Sequence, residues 1–159
     1  MSLIWSLSLL VLANGAPVIA SRLLGKRWAA PIDAGLRLAD GQPLLGHAKT
    51  WRGLIAAVLV CAPAGALQGM GWINGGLFGL LAMLGDLSAS FSKRRLRISP
   101  SGRARLLDQL PEALLPLAVL REPLGLDWPG VLLAAIGFTL LEWLVSPWLY
   151  RLHIRQRPY

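Results

Sequence analysis

An all-α, polytopic membrane bundle of about five helices is what this sequence predicts, with its N-terminus outside and its C-terminus in the cytoplasm. Three observations carry that expectation. Of the 159 residues, 55% are apolar and only 15% charged, against about 25% charged in an ordinary soluble domain. The charges fall in short blocks separated by long uncharged stretches. With five crossings, the basic blocks all gather on one side of the bilayer.

The first helix is read over 2–24, because Ser2 to Ser21 carries no charge and about 20 apolar residues cross roughly 30 Å of hydrocarbon. Its start lacks the positive n-region of a signal peptide, so it is expected to be retained. Gly53 to Gly85 is also uncharged, and at 33 residues it is too long for one crossing. The segment Gly69-Met70-Gly71-Trp72-Ile73-Asn74-Gly75-Gly76 reads as a turn-rich break, giving helices over 51–70 and 73–93. A fourth, weaker span over 105–121 is interrupted by Asp108, Glu112 and two prolines. The fifth, over 128–151, contains the single charge Glu142 between Trp128 and Tyr150. All five form one domain, 1–159, with cytoplasmic loops over 25–50 and 94–104.

The topology follows from the cations. The loops and tail assigned to the cytoplasm hold fifteen of the sixteen Lys and Arg residues, leaving Arg121 outside. Four or six helices would scatter the basic clusters over both faces. The chain is therefore expected to be an integral protein of the cytoplasmic (inner) membrane. The +8 net charge is explained by this sorting, and no nucleic-acid partner is expected. The lone Cys61 excludes a disulfide framework or a cysteine zinc cluster. His47 and His153 are isolated, and metal ligation is expected of neither. Asp33 is expected to cap a turn or form an ion pair. Glu142 is expected to face the bundle. The Trp residues near span ends are expected to be interface anchors, and the tail Arg151 to Arg157 a basic anchor.

A carboxylate in hydrocarbon costs roughly 2.5–3.5 kcal/mol, so it persists where it meets a cation, a partner or water. Asp86, Ser90, Lys93 and Arg97 lie in a narrow arc of the third helix, and Asp108 and Glu112 share a face of the fourth. Antiparallel neighbours would aim these acids at one another, with cations crowding the same rim. Such a set suits phosphoryl chemistry with Mg2+, whose ligands are hard oxygens. It equally suits plain ion pairs, and the spacing leaves both readings open.

Gly85-Asp86-Leu87-Ser88-Ala89-Ser90-Phe91-Ser92-Lys93-Arg94-Arg95, followed by Asp108-Gln109, resembles the signature of membrane CTP-dependent lipid cytidylyltransferases, and most closely the compact CDP-archaeol synthase family. Ala13-Asn14-Gly15-Ala16-Pro17, Asp40-Gly41 and Gly46-His47-Ala48-Lys49-Thr50-Trp51-Arg52-Gly53 resemble that family's further motifs, in the same order. The resemblance, spread over residues 13 to 112, implies a reaction of CTP with a phosphorylated membrane lipid that yields a CDP-lipid and pyrophosphate with Mg2+. It implies that Asp86 and Asp108 ligand the metal, and that Asp86, Lys93 and Asp108 form the catalytic set. Lys93 and Arg94 would contact nucleotide phosphates, supported by Ser90. Lys49, Thr50 and Arg52 would form a second phosphate clamp, and Asn14 would be an uncharged donor. The family's second distal acid falls at Pro111 here, so Glu112 is expected to take that metal position, with Pro111 starting or kinking the helix. Arg94 and Arg95 are open to exchange roles. A transporter component and a non-catalytic scaffold are the competing classes. A homodimer is compatible with so small a bundle.

Overall fold

The computed structural model describes residues 3–98 and 105–151. The tail anchor with His153, and the part of the second basic loop that includes Arg103, lie outside the described residues. Six helices follow in order: α1 Leu3–Leu24, α2 Trp51–Leu67, α3 Trp72–Arg95, α4 Arg105–Val119, α5 Arg121–Leu124 and α6 Trp128–Arg151. Among the described residues α1, α3 and α6 are long and apolar enough to cross a membrane, and α2 is a shorter apolar helix. α4 has 15 residues, a rise of about 22 Å. The chain then adds the one-turn α5, of which the expected fourth helix included only Arg121. α5 ends at Gly125 in the left-handed region, φ 62, which glycine adopts without a Cβ penalty.

The helices pack side by side around Leu9, Leu10, Ala13, Cys61, Phe78, Ala82, Ala113, Leu117, Val131 and Phe138. Small residues set their spacing. A Cβ on Gly75 would lie 2.4 Å from the Cys61 carbonyl oxygen, and one on Gly79 would lie 2.6 Å from that of Ala57. These glycines let the α2 and α3 backbones touch. The expected break is therefore shorter than the sequence suggested. The turn ends at Gly71, and Gly75 and Gly76 are inside α3 because close packing and tight turning both call for a missing Cβ.

Gly85 repeats the device on the other side of α3, where an added Cβ would lie 2.2 Å from the Pro111 carbonyl oxygen and 2.7 Å from the Glu112 Cα. Pro111 lies within α4 rather than at its start, which corrects one half of the expectation for it. Trp28, Trp51, Trp72 and Trp128 are exposed and stand in loops or at helix starts, in keeping with anchoring at an interface.

Candidate active site

The C-terminal ends of α1 and α3, the N-terminal ends of α2 and α4 and the C-terminal half of α6 gather at one end of the bundle. Two ion pairs mark this end. Lys49 Nζ lies 2.6 Å from Asp86 Oδ2 and 2.7 Å from Oδ1. Lys93 Nζ lies 2.5 Å from Asp108 Oδ1. The Gly85 contact with Pro111 and Glu112 fixes the antiparallel crossing of α3 and α4. Asp86 directly follows the residue that touches Pro111 and Glu112, and Lys93 meets Asp108 two turns further along α3, a rise of about 10 Å. Asp86 and Asp108 thus belong to the same end of the molecule, each neutralised by a lysine from a different element. The ion-pair reading of the sequence is seen directly.

Burial is uneven. Asp86 and Lys49 side chains are each 24% exposed and Asp108 37%, so water reaches both pairs. Ser90, Lys93, Arg94 and Glu112 are buried. Arg94 has only 5% of its surface exposed, and its Nε finds no hydrogen-bond partner. No carboxylate pairs with it among the described residues. A buried cation with an unsatisfied donor is costly unless an anion meets it. Arg95 has other surroundings. It pairs with Asp40 at 2.6 Å, donates to the Pro43 carbonyl at 2.7 Å and lies over the Phe91 ring.

Residues 25–50, expected to be a loop with short turns, have a defined interior. Antiparallel bridges join Pro31 to Thr50 and Arg37 to Pro43. Asp33 is buried, and its carboxylate accepts from the Gly35, Leu45 and Gly46 N–H groups at 3.0, 2.9 and 2.9 Å. Burial pushes its carboxyl up, but these donors outweigh it and hold the group below the ordinary range. It is a cap, as the sequence suggested. The Gln42 N–H and then Arg95 hold the Asp40 carboxyl low as well.

Two other expected site residues have structural work here. Thr50 Oγ1 accepts from the Gly53 N–H as the N-cap of α2. Arg52 staples α2 to the end of α1, donating to the Ser21 hydroxyl and to the Gly25 and Arg27 carbonyls. Asn14 is half-buried on α1, one turn before Pro17, which packs on Gly53. A polar cluster that the sequence did not assemble joins α4 to α6. Trp143 Nε1 donates to Gln109 at 2.9 Å, and Gln109 Nε2 donates to Glu142 at 3.4 Å. Spacing gave no signal for it, since its partners are 33 and 34 residues apart.

The CarS-like model for CDP-archaeol synthase matches residues 1–159. A CDP-archaeol synthase of Thermofilum pendens is 45% identical over 114 residues, 69% of this chain and 55% of that protein. This chain therefore spans about half the length of that relative. A CDP-archaeol synthase of Sulfolobus acidocaldarius is 32% identical over 165 residues, covering 100% of this chain and 97% of that one. A solved structure of an intramembrane enzyme for archaeal membrane lipids biosynthesis superposes with a TM-score of 0.69 at 34% identity, over 84% of this chain and 88% of that one. An all-helical bundle whose four sequence motifs meet at one end, matched along its whole length, belongs to the CDP-archaeol synthase family.

Proposed function

We propose that this chain is a CTP-dependent cytidylyltransferase that converts a phosphorylated glycerolipid to its CDP-lipid and releases pyrophosphate. The observation that carries the proposal is the pair of lysine–carboxylate contacts at the end of an apolar bundle where α3 also buries Arg94. A lipid phosphate oxygen attacks the α-phosphorus of CTP, the bond to the β-phosphate bridge breaks, and pyrophosphate leaves with the electron pair. No protein nucleophile is needed, so the protein's contribution is placement and charge. Lys49 and Lys93 turn from their carboxylates to the triphosphate, Arg94 meets a phosphate oxygen, and Ser90 supports them as a donor. The acids so released would be free to hold a divalent ion.

Among the described residues no three His, Cys, Asp or Glu side chains are gathered as a metal cluster. Mg2+ needs no such cluster, because it binds through one or two carboxylates together with substrate phosphates and water. Asp86 and Asp108 would hold it, with the buried Glu112 taking the further acidic position. Bound Mg2+ would neutralise charge on the triphosphate and on the departing pyrophosphate. The relatives' names favour an archaetidic-acid-like acceptor, and a phosphatidate-like lipid is the natural comparison. Fifteen of sixteen basic residues fall in segments that the sequence assigns to one side, which supports a site facing the cytoplasm in the inner membrane.

The test is direct. Purified protein in lipid nanodiscs is given CTP, Mg2+ and either phosphorylated lipid, and products are identified by mass. A CDP-lipid that forms only with CTP and Mg2+ together is expected. No turnover with either lipid would move the chain to a non-catalytic role.

A further inference from the structure

The loop that carries Lys49 has no regular secondary structure, yet it must deliver one ammonium group to one carboxylate across 37 residues of sequence. Arg95 docks the far part of this loop, residues 40–43, on α3. It does not touch the segment that holds Lys49. That segment is organised from within. The Asp33 carboxylate ties its own turn, through Gly35, to Leu45 and Gly46, which are 12 and 13 residues away. From Gly46 the chain turns so that the Lys49 N–H reaches the Gly46 carbonyl at 3.1 Å. The Lys49 carbonyl in turn accepts from the Ile32 N–H at 2.8 Å, next to Asp33.

Asp33 thus stands where the two ribs of the loop meet, with Lys49 on one of them. Two features show that the arrangement is held rather than relaxed. Ala34 occupies the left-handed region at φ 48, which a non-glycine residue adopts only when its surroundings dictate it. A buried carboxylate normally takes a cation, but Asp33 has no Lys or Arg partner among the described residues. Its charge is met by backbone N–H groups alone, bonds of the charge-assisted and strongly directional kind.

We infer that Asp33 is a positioning residue, acting through the 45–49 turn to present Lys49 at Asp86. The inference rests on the reading of Lys49 as a cation that serves the nucleotide. Asn at position 33 keeps the size and one acceptor but loses the charge and sets an amide N–H against a backbone donor.

The experiment uses the full chain in nanodiscs and follows acylation of each lysine by an amine-reactive reagent. For Asp33→Asn, Lys49 is expected to react about tenfold faster, as a lost charge-assisted bond implies. Lys93, paired on α3 and α4 independently of the loop, is expected to react at the wild-type rate. Unchanged Lys49 reactivity would overturn the inference, and so would an equal rise at both lysines, which signals general loosening. In turnover, kcat/KM for CTP is expected to fall about tenfold. In a Lys49→Met background the same substitution is expected to add little, because both act through one group. A full additional loss in that background would also overturn the inference. If the wild type forms no CDP-lipid while the labelling behaves as expected, the functional reading falls and the positioning role stands.

Discussion

Gly85→Ala is expected to separate α3 from α4, lowering the unfolding temperature sharply and abolishing CDP-lipid formation. The new methyl would lie 2.2 Å from the Pro111 carbonyl oxygen, 2.6 Å from its carbon and 2.7 Å from the Glu112 Cα. All three are backbone atoms, so no side chain can rotate away, and one helix must shift. Overpacking of this kind costs about 3 kcal/mol. Displacing α4 also pulls Asp108 from Lys93. Gly15→Ala is the matched control. It adds the same methyl inside a helix where nothing lies within 4 Å, and it is expected to leave both properties near wild type. A thermal melt and a CDP-lipid assay on the two variants decide the matter. Gly85→Ala with a wild-type melt would mean that the close crossing is not what assembles this end of the bundle.

Asp86→Asn should separate activity from stability. Turnover is expected to fall by about a thousandfold or more, since a preorganised charge at a phosphoryl-transfer site contributes on that scale. Stability should change little. Asp86 and Lys49 are each about a quarter exposed, and a solvent-reached pair is worth roughly 0–1 kcal/mol. Asn also remains able to accept from the lysine. The contrast distinguishes a working carboxylate from a structural ion pair. A structural pair would show its loss in the melt and leave turnover in proportion to the folded fraction. The same comparison at Glu112, using Glu112→Gln, shows whether this buried acid (6% exposed) replaces the one that Pro111 displaces. Wild-type activity and Mg2+ dependence there would assign the metal to Asp86 and Asp108 alone.

The helices were legible because hydrocarbon tolerates so few charges that charge spacing alone outlines them. Their ends were less so. Gly75 and Gly76 looked like a turn, and only the α2 backbone opposite shows that they serve packing. α5 escaped notice because four residues carry no period. In the site, the convergence of α3 and α4 followed from helical spacing and from the motifs that resemble the family's. The pairing of Lys49 with Asp86 did not, since it depends on how an irregular loop closes. The sequence Asp33-Ala34-Gly35 carries a local turn signal, which accounts for the bond to Gly35. Nothing local could indicate that the same carboxylate also binds Leu45 and Gly46. Arg52 carries contacts that its motif does not announce: the geometry has it stapling α2 to α1. A cation's partners are set by what its fork can reach, and the sequence does not report the two carbonyls at Gly25 and Arg27.

The central claim is that cations from the loop and from α3 act on one nucleotide together with the acids between them. Calorimetric titration of CTP with Mg2+ into the reconstituted protein, without lipid, tests it most directly. Saturable binding is predicted, weakened about tenfold or more by Lys49→Met and, separately, by Lys93→Met, as loss of a charge-assisted phosphate contact requires. Wild-type affinity in either variant, or no saturable binding by the wild type, would contradict the account.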